Sequence, residues 1–156
     1  GLSNQLSISA GEAKEIMESY FERFGGVKRY LDEVVEQARR DGYTSTLFGR
    51  RRYLPELTSG NRVARENAER AALNAPIQGT AADIIKVAML RVDAALSGKT
   101  SRVLLQVHDE LVVEVAPGEL DEVREIVERE MDKAIELLVP LEVSAGTGVN
   151  WDEAAH

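Results

Sequence analysis

Leu104-Leu105-Gln106-Val107-His108-Asp109-Glu110-Leu111-Val112-Val113-Glu114-Val115 sets two short apolar, β-branched runs around a polar core of three residues. Runs this short and this rich in Val and Leu read as strands buried on at least one face. A hairpin bent at His108-Asp109-Glu110 lifts Asp109 and Glu110 to its tip. Two adjacent carboxylates on a rigid edge each raise the cost of ionising the other. A divalent cation removes that cost, and hard cations such as magnesium take oxygen ligands. The plainer reading is a polar tip that merely faces solvent. The apolar runs hard against both sides favour the cation site.

Composition bounds what surrounds this hairpin. A chain of 156 residues suits one domain, or the tail of a larger protein, and can bury a real core. With no cysteine, a disulfide framework and a thiolate metal site are both excluded. Two histidines, His108 and His156, make a histidine-rich zinc site a poor fit. No apolar run approaches membrane-spanning length and the start lacks a signal-peptide pattern, so a cytoplasmic setting without membrane partners is expected.

The formal net charge of -8 argues at first against nucleic acid, but its distribution matters more than its sum. Residues 39 to 70 hold eight arginines (Arg39, Arg40, Arg50, Arg51, Arg52, Arg62, Arg65, Arg70) against four acids, a local balance of +4. Residues 110 to 136 hold ten acids against three bases. One face can therefore attract a polyanion while another keeps the protein in solution. An arginine cluster is by default a solvated face. The lack of lysine in this one tilts it towards phosphate, which the guanidinium fork binds bidentately.

Taken in order, Gly1 to Ile8 reads as a polar lead-in. Ser9 and Glu12 form a capping box, followed by Ala13, Ile16, Met17, Tyr20, Phe21 and Phe24 at helical spacing until Gly25-Gly26. A second helix is expected from about Val27 to Asp41, stopped by Gly42, with the aromatics of both helices in the core. Tyr43 to Pro55 suggests a short hairpin turning at Gly49, and residues 56 to 60 a loop. A third helix is expected over Asn61 to Leu73, broken by Pro76, and a fourth from near Ile77 to Leu96. After the central hairpin, a fifth helix should run from Glu119 to Pro140 with Leu120, Val123, Val127, Ala134 and Leu138 inward. Leu141, Val143 and Ala145 alternate with Glu142 and Ser144 as a last strand. Helices with a short hairpin, then antiparallel strands packed on helices, make the expected fold class α+β.

Asn74-Ala75-Pro76-Ile77-Gln78-Gly79-Thr80-Ala81-Ala82-Asp83 adds a second polar constellation. Asn74 and Gln78 bracket the expected helix junction, and Gly79 removes a side chain where a bulky partner could approach. Both amides donate and accept, which suits a minor groove offering acceptors at every base pair. Capping of helix ends would explain them equally well.

Three segments together carry a resemblance: Gln106-Val107-His108-Asp109-Glu110-Leu111, the Asn74 to Asp83 stretch, and Gly49-Arg50-Arg51-Arg52-Tyr53-Leu54-Pro55. In this order they resemble the C-terminal part of the bacterial family A DNA polymerases, which act in replication and repair. The likeness extends to the closing Asn150-Trp151-Asp152-Glu153-Ala154-Ala155-His156. It implies that residues 1–77 are the C-terminal part of a fingers subdomain and 78–156 a palm portion. It implies that Asp109 ligates two catalytic magnesium ions, that Glu110 supports that site, and that His108 contacts the primer strand near its terminus. Arg70, Asn74 and Gln78 would touch the template-primer duplex on its minor-groove side. Deoxynucleoside triphosphates, template-primer DNA and the rest of a polymerase chain, thumb included, are the implied partners.

Family members carry a second metal-binding aspartate in an Asp-Tyr-Ser-type motif, and a fingers helix whose arginine, lysine and tyrosine grip the nucleotide. Neither has a counterpart in these residues, which look as if they begin shortly after that helix. The segment alone is therefore expected to be inactive, its magnesium ions shared with an upstream aspartate. Two other classes stay open. One is a non-catalytic duplex-binding module built on Arg70, Asn74, Gln78 and the arginine cluster; the other is a metal-dependent hydrolase recruiting Glu114 or Asp83 beside Asp109 and Glu110.

Overall fold

In the computed structural model, which describes residues 2–154, Ser9 Oγ accepts the Glu12 amide at 3.2 Å. The Glu12 carboxylate accepts the Ser9 amide at 2.9 Å in return. This capping box opens α2 (Ala10–Arg23) as its residues require, and a short α1 (Leu2–Leu6) precedes it where a lead-in was expected. His156, like Gly1 and Ala155, lies outside the described residues. Gly25 and Gly26 do not end α2 but begin α3 (Gly25–Asp41), with Phe24 the cap residue of both helices. Gly42 at φ +78° supplies the left-handed turn that ends α3, its amide bonded to the Ala38 carbonyl.

The chain divides into two units, Gly1–Ser45 with Gly49–Pro76, and Thr46–Phe48 with Ile77–His156. In the first, α3 leads into β1 (Tyr43–Ser45), which pairs antiparallel with β2 (Arg51–Tyr53). Pro55 then starts a single 3₁₀ turn, Pro55–Thr58, whose Leu57 is almost wholly enclosed by Ala38, Leu54, Ala68 and Ala72. The alanines of this cluster, against which Val35 and Ala71 also pack, bring backbones close enough to enclose one leucine. The aromatics of α2 and α3 contradict the expectation of a core. Tyr20, Phe24 and Tyr30 remain 49%, 45% and 46% exposed. Tyr20 packs instead against its own helical neighbours, with ring centroids 5.5 Å from Phe21 and 4.9 Å from Phe24.

Pro76 does not break the helix. α4 runs unbroken over Arg62–Ala95 with Pro76 inside it. Proline removes one intrahelical donor and crowds the carbonyl four residues back, a weakness that flanking helix formers and packing can outweigh.

The second unit packs the last turns of α4 against α5 (Leu120–Asp132) and one face of a hairpin, β3 (Arg102–Val107) with β4 (Glu110–Glu114). Val92, Leu96, Val123 and Ile126 form its buried centre, with Val103, Leu111 and Val113 of the hairpin against them. α5 stops earlier than the periodicity suggests. Arg91 of α4 donates to the Lys133 carbonyl, satisfying one of the orphan acceptors at the helix end, and Leu138 beyond it is fully exposed. The expected strand over 141–145 does not form; among the described residues β3 and β4 pair only with each other, and a strand needs a ladder partner. No helix among the described residues is long and apolar enough to cross a membrane.

A polar clasp closes the base of this hairpin. The Glu119 carboxylate accepts the amides of Thr100 at 3.2 Å and Ser101 at 3.0 Å, and the hydroxyl of Ser101. That hydroxyl in turn accepts the Ala116 amide at 2.9 Å. The Ser101 hydroxyl, then the two amides, hold the Glu119 carboxyl below its ordinary value against the opposing effect of desolvation. A carboxyl whose folded pKa is depressed stabilises the fold fully above its unfolded pKa, about 4.3, and loses that contribution as pH falls through the folded value. Glu119→Gln should therefore flatten the fall in melting temperature between pH 5 and pH 3. An acid profile parallel to that of the wild type would refute this role.

Candidate active site

The polar core of the opening stretch forms a two-residue turn. Val107 pairs with Glu110, leaving His108 and Asp109 as the connection, both exposed. His108 has φ +52°, and Asp109 is not among the positive-φ residues. A positive φ at the first turn position alone is the pattern of a type II′ hairpin, where glycine is usual. A side chain in that position carries backbone strain of about 1–3 kcal/mol, and such outliers cluster at functional sites. The Gln106 side-chain amide donates to the His108 carbonyl, tying the strained peptide back to β3.

Register decides where the carboxylates point. Val103 pairs with Val113 on the buried face, but an extra residue at Leu104 puts Leu105 opposite Val112 and Gln106 opposite Leu111. Side chains alternate along β4, so with Leu111 and Val113 packed inward, Val112 and Glu110 face away from the helices. Asp109 at the tip and Glu110 on the outer face are thus both in solvent, two hard oxygen donors one residue apart. Magnesium is commonly held by one or two carboxylates with water and substrate phosphate completing its shell. The donor set fits such an ion in part. No group of three or more His, Cys, Asp or Glu is assembled among the described residues. Asp83, a hydrolase candidate from the sequence, is buried at 4% exposure and bonded to Thr46, and Glu114 pairs with Arg102 at 2.8 Å.

Asn74 and Gln78 neither bracket a junction nor cap a helix end. Both are exposed residues within the unbroken α4, Asn74 in the first unit and Gln78 in the second. Arg70 is also exposed, its guanidinium bonded to the Asn67 side chain one turn earlier. The arginine cluster is partly internal. Arg39 ties α3 to Glu69 of α4, Arg65 donates to the Ser59 carbonyl at 2.9 Å, and Arg62 pairs with Glu66 at 2.6 Å. Arg51 lies over the Tyr43 ring at 4.4 Å, and Arg40 and Arg52 are exposed.

Sequence reasoning left unassigned the partner of Gly79. A Cβ there would meet Thr46 Cγ2 at 2.7 Å, so the close approach that Gly79 permits is made by the chain itself. A glycine inside a strong helical pattern was the available signal.

The chain as a whole is similar to proteins of known kind. The sequence profile of DNA polymerase family A matches residues 1–153. The chain belongs to this family. DNA polymerase I of Mycobacterium tuberculosis is 65% identical over 158 residues, covering 100% of this chain and 18% of the relative. DNA polymerase I of Streptococcus pneumoniae is 53% identical over 99% of this chain and 18% of the relative. Among solved structures, the POL domain of Pol1 from M. smegmatis, in complex with DNA primer-template and dNTP, superposes with a TM-score of 0.96. It is 64% identical and is matched over 100% of this chain and 28% of its own. The chain therefore spans about a fifth of the curated family A relatives it matches. At this identity and coverage the α+β fold is that of the matched part of a family A polymerase domain.

Proposed function

We propose that the chain is part of a DNA-directed DNA polymerase, which adds deoxynucleotides to a primer 3′ end in bacterial replication and repair. The single observation carrying this reading is the His108-Asp109 turn. It is a strained, exposed connection presenting two carboxylates, in a chain matched to family A over residues 1–153. On this reading residues 1–77 are the C-terminal part of the fingers and residues 78–156 a palm portion. The remaining fingers, palm and thumb come from the rest of a polymerase chain, acting on DNA in the cytoplasm.

Asp109 and Glu110 then offer carboxylate oxygens beside the primer terminus, Asp109 from the turn itself and Glu110 from the outer face of β4. Divalent magnesium held in part by Asp109 and Glu110 would supply the charge that makes a 3′-hydroxyl a better nucleophile and neutralises a triphosphate. The chain contributes position and charge, which is nearly all that phosphoryl transfer asks of a protein. His108 is held by its strained backbone next to Asp109, where its imidazole can bond the primer strand. Asn74 and Gln78 offer amide groups to minor-groove acceptors, and Arg70 a guanidinium to the duplex.

Magnesium-dependent extension of a primed template by the full-length chain carrying this sequence is the expected result. Tight, strongly salt-dependent duplex binding with no incorporation under any divalent ion would replace this reading with that of a DNA-holding module.

A further inference from the structure

The tip of the first hairpin is fastened at each of Thr46, Leu47 and Phe48, the first three residues of the five that join β1 to β2. Thr46 Oγ1 donates to Asp83 Oδ2 at 2.8 Å, and Asp83 is only 4% exposed. The same hydroxyl accepts the Phe48 amide at 3.2 Å, while the Leu47 amide donates to Thr80 Oγ1 at 3.1 Å. Gly79 supplies the clearance, since any Cβ there would strike Thr46. Thr46, Leu47 and Phe48 are thus all bonded, two of them directly to a single turn of α4. A carboxylate is costly to bury unless its hydrogen bonds are met, and loops normally ride the surface loosely. The fastened turn of α4 begins directly after Gln78, and the chain leaves the tip through Gly49 into Arg50, Arg51 and Arg52.

We propose that Thr46 and Asp83 are positioning residues for duplex DNA. They latch the hairpin tip to the turn of α4 after Gln78 and act on DNA through the arginines that follow the tip in the chain. This inference rests on the polymerase reading and deepens it. Thr46 and Asp83 touch neither substrate nor cation; they act through the basic segment that the tip carries.

The test is binding of a fluorescent primer–template by the full-length chain across a series of salt concentrations. Each lost phosphate contact lowers the slope of log K against log salt by about 0.9. Thr46→Val, which keeps shape and loses the hydroxyl, is expected to weaken binding about three- to tenfold and to reduce the slope by about one. Thr46→Ser should restore both. Asp83→Asn, which keeps an acceptor, should fall between, and it carries the test if Thr46→Val fails to fold. A merely structural effect lowers the active fraction, hence the amplitude, without moving the slope. Arg52→Ala is the reference. If it reduces the slope while neither latch variant does, the latch is refuted and the polymerase reading stands. If wild-type binding ignores salt, the duplex-binding reading fails and takes the latch with it.

Discussion

Asp109→Ala in the full-length chain should lower the rate of primer extension by about a thousandfold or more, with the Kd for primer–template within about threefold. Ligands of a two-ion site act on charge that develops in the transition state, worth several kcal/mol, and each 1.4 kcal/mol is a factor of about ten. Little of that is spent on holding DNA, because duplex affinity comes mainly from phosphate and groove contacts made elsewhere. Nor should the fold suffer. Asp109 is an exposed turn residue outside both buried clusters. Steady-state extension and equilibrium binding on the same preparation separate the two quantities. An equal loss of rate and affinity would make Asp109 a structural residue.

The 156 residues by themselves should incorporate no nucleotide, a larger effect still. Two neighbouring carboxylates leave a pair of divalent ions short of ligands, and the described residues assemble no third acid, histidine or cysteine with them. Magnesium prefers near-ideal octahedral geometry and gives up water reluctantly, so an under-furnished site stays hydrated. Duplex binding through Arg70, Asn74 and Gln78 can survive in the same piece. Magnesium-dependent synthesis by the 156-residue chain, free of contaminating polymerase, would show that a complete site exists within it.

How much was legible depended on whether the signal was local. The Ser9–Glu12 cap, the Gly42 stop and the Gly49 turn are decided within a few residues, and each stands as its chemistry demands. The turn at His108-Asp109 was legible for the same reason: apolar runs on both sides leave nowhere else to bend. What the sequence hid were outcomes of competition at a distance. Pro76 argues locally for a break, yet α4 continues through it. Leu138 keeps the apolar period of α5, but Arg91, forty-two residues away, captures the Lys133 carbonyl and the helix ends. Leu141 to Ala145 alternate like a strand and find no ladder to join. The candidate site divides the same way. Asp109 at the turn could be read directly, whereas Glu110 stands in β4 rather than at the tip, and Thr46 and Asp83 belong together only because the fold brings them together across thirty-seven positions.

The supernumerary residue at Leu104 bears on how such a site could be retuned. Excising it would leave Val103 on Val113, Leu105 on Val112 and Gln106 on Leu111, so every cross-strand neighbour and every inward or outward assignment survives. Only the added coiling that an insertion imparts would be lost. The direction in which the acidic turn is aimed is thus adjustable independently of the hydrophobic seat beneath it, one codon serving as the trim.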